Sequence, residues 1–138
     1  MKKNSVLISL YLMFAVIAHA QTANYKVVFD MSSKDTVNQQ SLVRELGLIR
    51  QSNPDAQMEV VVYGQGLPLI TNDGAPLQPA VQKLLADKKI TFKVCAMTMK
   101  RNNMDKSRLL SGVEVVPDGI YEIISKQQEG WGYIKVAH

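Results

Sequence analysis

Ile90-Thr91-Phe92-Lys93-Val94-Cys95, followed at once by Ala96-Met97-Thr98-Met99-Lys100-Arg101, is the stretch that decides the fold. The first segment is β-rich and mostly apolar, and reads as a buried strand closing on Cys95. The second carries helix-forming residues and ends in two cations. A strand handing over directly to a helix is the repeating unit of α/β folds, which bind ligands outside the carboxyl ends of their strands. Cys95 is the single cysteine of the 138-residue chain. At such a junction it meets unpaired backbone N–H groups, whose partial positive charge favours the thiolate. A second reading stands beside this one: free cysteine is among the most buried residue types, and Cys95 can be inert filling.

The same alternation continues in both directions. Tyr25-Lys26-Val27-Val28-Phe29-Asp30-Met31 reads as an opening strand. Ser32-Ser33-Lys34-Asp35 is turn chemistry, and Asp35 or Thr36 caps a helix carrying Leu42, Val43, Leu46 and Ile49 at helical spacing. Asn53-Pro54 stops it. Met58-Glu59-Val60-Val61-Val62-Tyr63 is a second strand, apolar enough to suggest burial on both faces, as in a parallel sheet. Gly64-Gln65-Gly66 ends it, and residues 67–74 form an irregular connection. Pro79 suits the first turn of a helix bearing Val81, Leu84 and Leu85. Beyond Arg101, Asp105 to Leu110 predicts one more helical turn. Val113 to Val116 predicts a fourth strand, Asp118 caps a helix from Ile120 to Gln128, and Trp131 to Val136 predicts a fifth strand. Strands alternating with helices specify a three-layer α/β/α domain with a mostly parallel five-stranded sheet. Right-handed crossovers then gather the loops after Met31, Tyr63, Cys95 and Val116 on one rim.

The chain opens Met1-Lys2-Lys3-Asn4, continues with an apolar run and reaches Ala18-His19-Ala20. A basic start, an apolar middle and small residues before Gln21 predict a signal peptide over residues 1–20, followed by a single domain over 21–138. The expectation is an exported, periplasmic protein with no membrane segment after cleavage. The whole chain carries sixteen basic and twelve acidic residues, net +4. The first twenty hold two of the lysines and no acid, so the remainder is net +2. That near-neutral balance argues against nucleic acid as a partner. With one cysteine, an internal disulfide is excluded.

The rim gathers the candidate site: Cys95 as nucleophile, with Gly64, Gly66, Met97, Lys100, Arg101 and Asp118 shaping a binding pocket. The glycines let a ligand approach the backbone, or simply turn the chain. Lys100 and Arg101 suit an anion, or are solvated helix-end charges. Cys95, Met97 and Met99 are soft enough for Cu(I), but strand-then-helix geometry does not aim all three at one point, so no metal and no cofactor is expected. No G-x-S-x-G is present, no histidine stands near a serine, and Cys–His catalysis lacks a partner. Thiolate attack on sulfur needs a good leaving thiol rather than a general base, and fits what remains.

Taken in order, Tyr25–Asp30, Glu59–Gly66, Phe92–Lys100, Val113–Gly119 and Gln127–Lys135 resemble the DsrE/DsrF-like family. The resemblance implies a three-layer α/β/α fold and a homo-oligomer, often a trimer or hexamer. It also implies a cysteine, here Cys95, that carries sulfane sulfur as a persulfide and passes it to a thiol or sulfur-carrier protein. The alternative function is a non-catalytic oligomeric module that binds a small ligand or partner, with Cys95 buried and inert.

Overall fold

The structure is a computed structural model and describes residues 25–137; the leader expected over residues 1–20 lies outside them. The strands are β1 (Lys26–Met31), β2 (Gln57–Val62), β3 (Ile90–Cys95), β4 (Glu114–Val116) and β5 (Gly132–Lys135). The helices are α1 (Thr36–Ser52), α2 (Gln78–Leu85), α3 (Ala96–Arg101) and α4 (Gly119–Gln128). The strands form one sheet in the order β4-β3-β2-β1-β5, and every pairing is parallel. The irregular connection after β2 is a 3-10 turn, Gly64–Ile70, and the turn expected after Asp105 is a 3-10 turn at Lys106–Arg108.

Topology decides what each face of this sheet carries. The steps β1 to β2, β2 to β3 and β3 to β4 all run in one direction across the sheet. The step from β4 to β5 runs back past β1. Right-handed crossovers of opposite direction put their helices on opposite faces, so α4 sits alone on the second face. The first face is the core. Phe29, Met31, Val60, Val62, Phe92 and Val94 point there and pack against Leu42 and Leu46 of α1, Val81 of α2 and Met99 of α3.

The second face is different in kind. Alternation along parallel, in-register strands puts Val28 and Asp30 of β1, Glu59 and Val61 of β2, Lys93 and Cys95 of β3, and Tyr133 and Lys135 of β5 together on it. Its apolar cluster is small: Val28, Val61 and Ile123, with Tyr63 against them. The chemistry-bearing side chains of the sheet therefore lie under or beside a single helix.

Candidate functional site

Cys95 is the last residue of β3 and the N-cap of α3, at φ −72° and ψ 121°. It is only 5% exposed. Burial pushes the thiol pKa up, but the backbone N–H groups of Gly119, Thr98 and Met97 and the Thr98 hydroxyl favour the anion, and the balance lowers the thiol from its usual value. No full side-chain capping hydrogen bond closes between Cys95 and the first turn of α3. The N–H groups act on the sulfur as oriented dipoles, which still favour its anion.

Two contacts build this environment. The Gly64 N–H donates to Thr98 Oγ1 at 3.1 Å, and Gly64 sits at φ +57°, a conformation glycine adopts without penalty. The hydroxyl of Thr98, itself buried, is thereby anchored on its acceptor side and free to donate toward sulfur. On the other side, Gly119 brings the first turn of α4 against the thiol. A Cβ at Gly119 would stand 3.1 Å from Cys95 Cβ and 3.2 Å from Val61 Cγ1. A side chain there would press on Cys95 and Val61 by a few tenths of an ångström, which glycine avoids.

The other sequence-predicted site residues are placed as follows. Gly64 joins the site through its N–H. Gly66 lies against the carbonyl of Met31 rather than against open space. Asp118 Oδ1 accepts hydrogen bonds from the N–H groups of Ile120 (2.9 Å) and Tyr121 (3.2 Å), so its carboxylate caps α4. Met97 points outward from the first turn of α3 and is 53% exposed. Lys100 and Arg101 are exposed at the far end of α3 from the thiol. Among the described residues, no group of three His, Cys, Asp or Glu side chains is placed to hold a metal ion.

Sequence reasoning missed two polar clusters, both on the second face. The first surrounds buried Asp30, which accepts from Tyr133 Oη (2.7 Å), Lys135 Nζ (2.9 Å) and Tyr63 Oη (3.1 Å). Lys135 Nζ also donates to Ser32 Oγ at 2.7 Å and lies 5.5 Å from the centre of the Tyr63 ring. Burial and the Asp30 carboxylate push the Tyr133 hydroxyl up to about 12. Burial acts to lower the Lys135 ammonium, but the bond to Asp30 outweighs it and raises the pKa. This cluster ties edge strand β5 to β1 where the strand order reverses.

The second cluster joins β2, β3 and α4. Lys93 Nζ lies 2.6 Å from Glu122 Oε1 and 3.1 Å from Glu59 Oε2, and Lys126 Nζ lies 3.9 Å from Glu59 Oε2. Glu59 is 2% exposed, and its Oε1 has no hydrogen-bond partner. Burial pushes its pKa from 4.5 to about 7 against the pull of Lys93, and Glu122 favours the protonated form. A folded pKa above the unfolded one means that the folded protein binds more protons between those two values. The contribution of Glu59 to stability therefore falls as pH rises from about 4.5 to about 7. Replacing Glu59 by Gln is expected to flatten that slope by an amount on the order of 2 kcal/mol. Urea unfolding of both proteins at pH 5 and pH 8 checks this; equal slopes would show that Glu59 titrates normally.

A parallel sheet between two helical layers, with one cysteine at a strand-to-helix junction on its carboxyl edge, defines a small three-layer α/β/α domain. The DsrE/DsrF-like family model matches residues 10–136, and the chain belongs to that family. The match begins inside the segment read as a leader. The fold is similar to that of a protein of unknown function, MTH1491, from Methanobacterium thermoautotrophicum. That alignment has a TM-score of 0.76 at 29% identity and covers 81% of this chain and 99% of the other. The ychN protein from E. coli aligns with a TM-score of 0.68 at 12% identity, over 81% of this chain and 98% of that one. A protein of unknown function, BT1422, from Bacteroides thetaiotaomicron aligns with a TM-score of 0.66 at 16% identity, over 83% and 97%. No functionally curated protein is significantly similar in sequence.

Proposed function

We propose that this protein carries sulfane sulfur as a persulfide on Cys95, within the sulfur-relay role its family suggests. The observation that carries the reading is the thiol's place: Cys95 ends β3 at the start of α3, against Gly119 at the start of α4, where backbone N–H groups favour its anion. The Cys95 thiolate attacks the terminal sulfur of a persulfide or polysulfide donor. The donor's S–S bond breaks, a persulfide donor leaves as its thiolate and a polysulfide donor as a polysulfide anion shorter by one sulfur, and Cys95 keeps one added sulfur. An acceptor thiolate then takes that sulfur and regenerates the Cys95 thiolate. No net oxidation occurs, and no general base is needed. The reading extends to an exported homo-oligomer; the exposed apolar side chains of Ile120, Tyr121 and Ile124 on α4 support the oligomer.

One intact-mass experiment tests the whole proposal. Protein expressed from the full chain and exposed to polysulfide is expected to gain one sulfur, lost on reduction and absent in Cys95→Ser. No gain on the native protein would overturn persulfide carriage. An unprocessed N-terminus in a Gram-negative host would remove export, and a single-chain mass under native conditions would remove the oligomer.

The burial of Cys95 favours a second reading, a binding module with an inert thiol. An open cleft of about 410 Å³ beside Gly64, lined also by Lys34, Gln65, Asn102 and Arg108, would receive its ligand. A thiol that a small alkylating reagent reaches only after unfolding would support that reading over the first.

A further inference from the structure

The Cys95 thiol and the Lys93–Glu59–Glu122 cluster share two elements. Lys93 and Cys95 are two residues apart on β3 and so lie on the same face. Gly119 and Glu122 are three apart on α4 and so lie on the same side of that helix. The helix thus touches β3 twice, with Gly119 over Cys95 and Glu122 on Lys93. The helix also lies over β1, β2 and β5. The apolar contact beneath α4 is confined to Val28, Val61, Ile123 and Tyr63. Against that small cluster stands an ion pair of 2.6 Å with a second, almost fully buried carboxylate behind it. Removing one member of such a partly buried group leaves the others uncompensated.

We propose that the Lys93–Glu122 pair, backed by Glu59, is a positioning device for Cys95: it seats α4 on the sheet and so holds the Gly119 N–H against the sulfur. The functional weight of this inference rests on the reading of Cys95 as a reactive thiolate. Glu59, Glu122 and Lys93 are positioning residues; none of them touches the sulfur.

The test exploits a difference in sign. Glu122→Gln deletes a negative charge near the thiol and leaves Lys93 less neutralised. A pure field effect would lower the thiol pKa. Loss of seating withdraws the Gly119 N–H and raises it. The thiolate's ultraviolet absorbance is followed against pH in the otherwise intact protein, with Cys95→Ser subtracted as blank. The expected result for Glu122→Gln is about tenfold less thiolate at a given pH below the pKa, a rise of about one in pKa. An unchanged or lowered pKa would overturn the proposal. Lys93→Arg, which keeps the pair, is expected to stay close to the parent protein. Should Glu122→Gln fail to fold by circular dichroism, Glu122→Asp replaces it; it keeps the charge but withdraws it by one methylene, and an unmoved pKa there overturns the proposal equally. Sulfur uptake by the parent protein is scored separately. A raised pKa without any uptake leaves the seating intact and removes persulfide carriage. Uptake with an unmoved pKa does the reverse.

Discussion

Gly66→Ala is expected to destabilise the domain by about 3 kcal/mol, a large share of the total for a domain of this size. The added Cβ would lie 2.5 Å from the Met31 carbonyl oxygen, 3.2 Å from the Met31 carbonyl carbon and 3.2 Å from Val62 Cγ1. None of these is a flexible side-chain end. Met31 is fully buried at the end of interior strand β1, and its carbonyl already accepts the Tyr63 N–H at 3.1 Å. Relief therefore requires the 3-10 turn to lift away from β1. That strains the Gln65 N–H bond to the Ser32 carbonyl and moves Gly64, whose N–H anchors Thr98. Thermal unfolding by circular dichroism should show a midpoint lower by roughly 10 °C or more. Gly47→Ala supplies the contrast: that glycine lies within α1 with nothing within 4 Å of an added Cβ, and the change should stabilise by about 0.5–1 kcal/mol. A loss under about 1 kcal/mol at Gly66 would mean that the turn gives way easily and the close approach carries no strain.

The architecture was legible because it is written locally. Most strands are short apolar runs, and Asp35 and Asp118 cap α1 and α4 as their positions suggested. The junction at Cys95 was legible for the same reason. What stayed hidden is non-local. Lys93 meets Glu122 across 29 residues, and Asp30 meets Tyr133 across 103, so no window of sequence contains either pair. One signal was available. Asp30, Glu59 and Lys93 are single charges inside apolar strands of a sheet expected to be covered on both faces, and a buried charge demands a partner. The same partners lie on one face because the alternation phase agrees across three parallel strands. Lys100 and Arg101, by contrast, drew attention through sequence proximity to Cys95, but a helix carries residues five and six positions on away from its first turn.

The reversal in strand order links these observations. Three helices cover one face and produce an apolar core with no room for charge. One helix covers the other, so side chains there keep access to polar partners, and α4 forms a boundary of the site rather than part of the main core. A fold of this kind separates the residues that hold it together from those that act. Stability and thiol chemistry should accordingly respond to different substitutions, except where a residue touches both.

Thr98 is such a residue, and Thr98→Val is expected to reduce thiolate at a given pH between about tenfold and a hundredfold. Valine keeps the shape and removes the hydroxyl. Two partners lose it at once. The Gly64 N–H, donating to Oγ1 at 3.1 Å, is left without an acceptor, which costs about 1–3 kcal/mol when the group is buried. The hydroxyl also favours the Cys95 anion, and a hydrogen bond to a charged group contributes about 1.5–3 kcal/mol, or between one and two in pKa, if the hydroxyl turns to the thiolate. The backbone N–H groups of Gly119, Thr98 and Met97 remain, so the thiol should rise without losing their influence altogether. Thr98→Ser separates the two effects of the hydroxyl from packing, since it restores both bonds while lacking only the methyl. The expected pattern is a raised thiol pKa and slower alkylation for valine, and near-parental values for serine. If valine titrates like the parent, the hydroxyl plays no part in holding the anion, and the backbone dipoles alone account for the low pKa of Cys95.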